Sequence, residues 1–165
     1  MALHPYCVFS SVKRPQLCVA NTKFQILDRK GNSFSIEQFD FVMNINVRGT
    51  IDLIRQVLPY IAKTTPVGPD NERGIVIMVA SSAAFDGQPG QVSYSASKGA
   101  IASLTLPMTR DLAPHGIRVV TLAPSMFDTR MTEGLSEKAK ASLLRVMEFP
   151  GMSIMSSMRC LCSTD

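Results

Sequence analysis

The sequence predicts an α/β fold built on a parallel sheet. Three observations carry this. Gly74-Ile-Val-Ile-Met-Val-Ala80 is a continuous apolar run, the pattern of a parallel strand covered on both faces. Gln91 to Ala113 is helical in pattern, and Ile117-Arg-Val-Val-Thr-Leu122 is a second strand. Strand, helix and strand in that order form a βαβ unit, which makes the two strands parallel with a right-handed crossover. The chain has 165 residues, 45% hydrophobic and 18% charged, with a mean hydropathy of +0.13. That is enough for one domain with a core, and too apolar for a disordered chain. No uninterrupted apolar run reaches the roughly 18 residues of a membrane span, so no membrane partner is expected. The net charge of +4 comes without a Lys/Arg block, so no nucleic-acid partner is expected either.

The elements follow in order. Residues 1–19 form an atypical N-terminal segment, with Pro5, Pro15 and no clear periodicity. They carry Lys13 and Arg14 and no acid precedes Asp28, a pattern shared by a mitochondrial presequence and, as the favoured expectation, by an ill-ordered terminus. Ser35 with Gln38 three positions on is a capping-box start for a long helix, Ser35 to Lys63. Phe39, Met43, Val47, Ile51, Ile54, Leu58 and Ile61 follow at steps of three or four, one expected buried stripe, interrupted only near its end by Pro59. Pro66, Gly68 and Pro69 mark a surface loop, and Asp86, Gly87, Pro89 and Gly90 mark a second. Gly116 is the expected left-handed cap after the helix that starts near Gln91. A third helix is expected over Ser136 to Met147, with Ala139, Leu143, Leu144 and Met147 inward.

Cysteine and methionine are unevenly placed. Cys7, Cys18, Cys160 and Cys162 leave the whole middle of the chain without a thiol, which does not read as a disulfide framework. Cys160 and Cys162 have no His or second pair nearby, so no metal site is expected. Residues 151–165 form an atypical tail, rich in Met, Ser and Cys and without an apolar period.

The chemistry gathers between Asn46 and Thr129. Tyr94 and Lys98 stand one helical turn apart on one face. A lysine ammonium a few ångströms from a phenol favours the phenolate, so such a tyrosine can exchange a proton near neutrality. Alone the pair is weak: three Tyr and seven Lys produce Y-x-x-x-K by accident about one time in eight. Its neighbours strengthen it. Ser81 and Ser82 fall at the carboxyl end of the first strand, where ligands bind in open α/β sheets. Ser93, Ser95, Ala96, Ser97, Gly99 and Ala100 keep the helix small-sided, which suits either close ligand approach or tight helix packing.

Ser81 thirteen residues before Y-S-A-S-K, then a strand ending Leu-Ala-Pro124, resembles the short-chain dehydrogenase/reductase family. The segments A-A-F-D-G-Q-P-G-Q-V-S-Y-S-A-S-K and R-D-L-A-P-H-G-I-R-V look most like its type-2 3-hydroxyacyl-CoA dehydrogenase branch, as does A-N-T-K-F-Q-I-L-D-R-K-G from Ala20. The resemblance covers 20–150, a partial dehydrogenase domain. It implies a partial Rossmann-like, doubly wound parallel sheet lacking the N-terminal cofactor-binding strands.

The resemblance assigns Tyr94 as general acid/base. Lys98 supports it and holds the nicotinamide ribose, so both residues also count as cofactor-binding. Ser81 orients the reacting oxygen, and Asn46, within Met43-Asn-Ile-Asn-Val-Arg-Gly49, completes a water-linked proton relay. Pro124, Met126, Phe127 and Thr129 match a loop contacting nicotinamide, although Ser125 stands where the family has glycine. The implied reaction is hydride transfer between NAD, or NADP, and a secondary alcohol or ketone of 3-hydroxyacyl-CoA or hydroxysteroid type. The alternative is a catalytically inert fragment acting through helix-mediated interaction with a full-length paralogue. A dehydratase or epimerase would use the same Y-x-x-x-K. A homo-oligomer, dimer or tetramer, for the full-length family and a mitochondrial location are further implications, with the cytoplasm as the alternative location.

The chain contains no G-x-G, so the family's pyrophosphate turn T-G-x-x-x-G-x-G is missing from it, as is the N-x-A-G turn. Both ends are therefore expected to derive from a truncated or misread gene. The polypeptide by itself is expected to bind NAD weakly or not at all, and to leave a hydrophobic strand edge open.

Overall fold

The computed structural model describes residues 7–10, 25–124 and 159–162. Four strands form one sheet in the order β1 (Cys7–Ser10), β2 (Gly74–Val79), β3 (Ile117–Ala123) and β4 (Arg159–Cys162). The pairs β1–β2 and β2–β3 are parallel, and β4 runs antiparallel along the outer edge of β3. The βαβ unit is thus present with parallel strands. Strands β1 and β4 come from the two terminal segments that the hydropathy pattern left without structure. Each is only four residues long, too short for a period to show. They pair the outer edges of β2 and β3, so the edge expected to be open is paired. The expected helix over Ser136–Met147 lies outside the described residues.

Ahead of β2 the chain makes a turn and a long helix. The Asp28 carboxylate accepts from the amides of Lys30 and Asn32, both at 2.8 Å, and from Asn32 Nδ2 at 3.0 Å. These bonds, led by the Asn32 side chain, hold the Asp28 carboxyl below its ordinary value. The helix then runs as α1 (Ile36–Met43), a π turn over Asn44–Arg48, and α2 (Gly49–Ile61). Ser35 occupies the N-cap position as expected, but the capping box does not form. Its hydroxyl donates to the Glu37 carboxylate, which holds the Glu37 carboxyl below its ordinary value. Pro59 sits inside α2 without ending it.

The π turn changes which residues face inward. Val42 is 1% exposed although it lies outside the expected stripe, and Ile51, inside it, is 39% exposed. Ile54 and Ile61 are buried as expected. A π turn takes an extra residue per turn, so the α-helical phase before it does not continue after it. The three successive steps of four from Phe39 to Ile51 carry that signal, since each overshoots an α-helical turn and together they drift by about 120°.

After β2 a single 3₁₀ turn, Ser82–Ala84, leads to α3 (Val92–Ser103) and α4 (Thr105–Leu112). One continuous helix was expected here. Pro107 has no N–H to give the Ser103 carbonyl, and the helix divides at Leu104. Gly116 ends the segment at φ +68°, the left-handed cap expected.

Helices α2, α3 and α4 share one face of the sheet. Ile54 and Ile61, Ile101 and Leu112 pack against Val76 and Met78 of β2 and Val119 of β3. Burial along β2 alternates, with Val76 and Met78 enclosed and Ile75, Ile77 and Val79 only half-buried. The apolar run is therefore not covered equally on both faces. Among the described residues no helix is long and apolar enough to cross a membrane.

Candidate active site

The candidate side chains converge where β2 ends. Val79 closes the strand, and Ala80 continues its pairing by donating to the Leu122 carbonyl at 2.7 Å. Ser81 follows with extended backbone and caps the 3₁₀ turn, its Oγ accepting from the Ala83 amide at 3.2 Å. The Ser82 amide donates to the Pro124 carbonyl at 2.9 Å, so the exits of β2 and β3 are tied side by side. This is the carboxyl end of two neighbouring parallel strands, the place where open α/β sheets bind ligands.

Helix α3 brings Tyr94 and Lys98 to that end. The Lys98 ammonium donates to the Val79 carbonyl at 2.8 Å, two residues before Ser81. It also lies 5.8 Å from the centre of the Tyr94 ring, within reach of a cation–π attraction. Lys98 therefore fixes its positive charge between the strand end and the phenol. Ser93 and Ser97 of the small-sided face are both buried, so these two small residues serve helix packing. Gly87 approaches the same helix closely: a Cβ there would meet Ser95 Oγ at 2.4 Å and the Ala83 carbonyl at 3.3 Å.

Asn46 arrives from the middle of the π turn. Its Nδ2 donates to Ser97 Oγ at 3.0 Å, and Ser97 Oγ donates to the Tyr94 carbonyl at 2.7 Å. Its own carbonyl accepts from Thr50 Oγ1 at 2.8 Å. The structure thus joins Asn46 to the Tyr94–Lys98 turn and joins Lys98 to the strand that delivers Ser81. Pro124 stands beside Ser82, while Met126, Phe127 and Thr129 lie outside the described residues. Ser97, Thr50 and the Val79 carbonyl are absent from the sequence-derived site. Thr50 had a usable signal, standing four residues after Asn46 on one helix face. Ser97 is part of Y-S-A-S-K but bonds a residue 51 positions away, which no local pattern records. A groove bordered by Asp70, Glu72, Gly116 and Arg118 opens at the opposite, amino end of β3 and takes no part in this constellation.

The described donors fit the nicotinamide-ribose portion of a dinucleotide. A lysine ammonium has three N–H donors, a phenol and a serine hydroxyl can each give or accept, and all are set at a strand terminus. The pyrophosphate portion has no counterpart among them, since the sequence holds no G-x-G turn.

An α/β sheet with a parallel β1–β2–β3 core, a serine at a strand exit and a Tyr/Lys pair on the following helix defines the class. The chain belongs to the short chain dehydrogenase family, whose model matches residues 19–140. It is 42% identical over 134 residues to 3-hydroxyacyl-CoA dehydrogenase type-2 of Homo sapiens, covering 81% of this chain and 50% of that protein. With the enzyme of the same name from Drosophila melanogaster it shares 43% identity over 121 residues, covering 73% and 47%. Among solved structures, 3-hydroxyacyl-CoA dehydrogenase type-2 from Mycobacterium avium superposes with a TM-score of 0.70 at 34% identity, covering 76% of this chain and 48% of that one. A short chain dehydrogenase from Burkholderia cenocepacia, solved in complex with NADP, superposes at 0.55 with 28% identity, covering 70% and 44%. The chain spans about half the length of the curated relatives it matches.

Proposed function

We propose that these residues form the proton-handling part of an NAD(P)-dependent alcohol dehydrogenase site acting on a 3-hydroxyacyl-CoA or a similar secondary alcohol. The observation that carries this is the linked set Asn46–Ser97–Tyr94 and Lys98–Val79 at the carboxyl end of β2. The likeness to 3-hydroxyacyl-CoA dehydrogenases supports the substrate class. NAD is the favoured nucleotide, and NADP is the alternative represented among the solved relatives.

A bound nicotinamide would supply the two-electron acceptor. The chain's own residues handle position and protons. Ser81 hydrogen-bonds the alcohol oxygen and aims it at Tyr94. Tyr94, as phenolate, takes the hydroxyl proton as the carbon-bound hydrogen departs with its electron pair and the C–O bond becomes C=O. Lys98 lies 5.8 Å from the ring, where its charge offsets the negative charge on the phenol oxygen. Asn46 stands behind this pair and passes the proton onward through water. A dimer or tetramer is the expected assembly of the full-length family, and the resemblance makes the mitochondrion the expected compartment, with the cytoplasm as the alternative.

The test is NAD-dependent oxidation of a 3-hydroxyacyl-CoA, followed by absorbance of the reduced nucleotide and compared with Tyr94→Phe. Turnover abolished by that single oxygen deletion supports the reading. Turnover unchanged by it overturns the assigned role. The inert-fragment reading is favoured by large apolar side chains left exposed along the long helix, among them Phe41, Leu53 and Tyr60. It predicts co-purification with a full-length paralogue that Tyr94→Phe leaves intact.

A further inference from the structure

A buried hydroxyl stands between the two elements that would carry the proton. Ser97 is 0% exposed, on the face of α3 that meets the π turn. Its single hydroxyl proton goes to the Tyr94 carbonyl at 2.7 Å, which leaves its lone pairs to accept from Asn46 Nδ2 at 3.0 Å. One oxygen therefore touches both the turn that bears the phenol and the amide from the other helix. On the far side of Asn46, Thr50 Oγ1 holds the backbone carbonyl at 2.8 Å, and Thr50 is itself buried. Asn46 is thus gripped at its side chain and at its main chain by two hydroxyls from different elements.

The grip has a physical need. In the π turn over Asn44–Arg48 the Gly49 amide reaches back five residues to the Asn44 carbonyl. Such a turn is rare and concentrates at functional sites. A side chain on a widened turn has its direction set by tertiary bonds more than by the helix. A packing role alone would be met as well by alanine, which is smaller by one oxygen and a better helix former. What alanine lacks is the oxygen that accepts from Asn46.

We propose that Ser97 is a positioning residue: by binding the Asn46 amide and the Tyr94 carbonyl through one oxygen, it holds Asn46 in register with the proton-transferring tyrosine. Thr50 completes the hold from the main-chain side. This role rests on the proton-transfer reading above, and the two are tested by separate readouts.

The first readout is solvent exchange of the Asn46 side-chain amide protons, measured by NMR on the full chain. Ser97→Ala should speed that exchange about tenfold or more, and Ser97→Thr, which keeps the hydroxyl, should stay within about twofold of the unsubstituted chain. The second is steady-state oxidation of a 3-hydroxyacyl-CoA. Here Ser97→Ala should lower kcat about tenfold with KM changed less than about twofold, and Ser97→Thr should restore kcat. Unaltered Asn46 exchange in folded Ser97→Ala overturns the proposal. So does a loss confined to KM. If Ser97→Ala does not fold, Ser97→Cys, whose sulfur accepts hydrogen bonds weakly, carries the same comparison. Where weak NAD binding leaves the unsubstituted chain without turnover, the exchange measurement alone decides whether Ser97 holds Asn46: faster exchange in Ser97→Ala supports the proposal and unaltered exchange overturns it.

Discussion

Replacing Gly116 with alanine should destabilise the fold through two separable terms. Gly116 has φ +68°, a left-handed conformation that costs an L-residue with a Cβ about 1–2 kcal/mol. A Cβ built there would also meet the Asn71 carbonyl oxygen at 2.3 Å, and the atom in the way is backbone. The loop cannot retreat freely, because the Arg73 amide donates to the Gly116 carbonyl at 2.7 Å and the Arg73 guanidinium to the His115 carbonyl at 3.1 Å. Relieving such a clash by backbone shift costs roughly 1–3 kcal/mol. Gly116→Ala should therefore lose about 2–5 kcal/mol in a urea titration followed by far-UV circular dichroism, with an unchanged m-value. Gly116→Asn separates the terms, since asparagine tolerates the left-handed region but carries the same Cβ. Its loss should be smaller than that of alanine by about 1 kcal/mol and still clearly above zero. A harmless Gly116→Asn would refute the close approach, and an alanine cost below about 1 kcal/mol would refute both terms.

Other predictions follow from the same geometry. Thr105 Oγ1 and Thr121 Oγ1 are 2.7 Å apart and both side chains are buried, so Thr121→Val alone should cost about 1–3 kcal/mol. Thr105→Val with Thr121→Val should cost less than the two singles added, and strict additivity in a double-mutant cycle would contradict the pairing. Met78→Ala should cost about 2–5 kcal/mol by chemical denaturation, because Met78 is wholly enclosed between sheet and helices. The Asp28 carboxyl is held below its ordinary value of 3.8, so its contribution is present above that pH and is lost as pH falls through the lowered value. Protection of the Lys30 and Asn32 amides, taken relative to their intrinsic exchange rates, should fall only in that acid range, and Asp28→Asn should remove the fall. Arg118→Ala should change stability by less than about 1 kcal/mol, since the Arg118–Glu72 pair is largely solvent-exposed on the arginine side.

Much of the candidate site was legible because its signals are local. Tyr94 and Lys98 lie four residues apart on one helix, and Ser81 follows directly on an apolar strand, so spacing marks these three residues, the resemblance supplies their roles, and the Lys98–Val79 bond brings the pair to the strand end. Asn46 was legible only by resemblance. What places it is a bond to Ser97 across 51 residues of chain, and helical periodicity has no term for such a contact.

The sequence by itself determined the α/β class, the parallel β2–β3 pair and the left-handed cap at Gly116. Hydropathy period and glycine conformational preference are properties of neighbouring residues and need no partner from elsewhere. The tertiary structure decided the rest. The π turn rotated the buried face so that Val42 went inward and Ile51 outward. The short segments Cys7–Ser10 and Arg159–Cys162 became strands by joining edges already present. In each case the deciding energy is a contact between groups that the helix pattern treats as independent. The hold on Asn46 belongs with these, since the partners that fix its direction are chosen by packing.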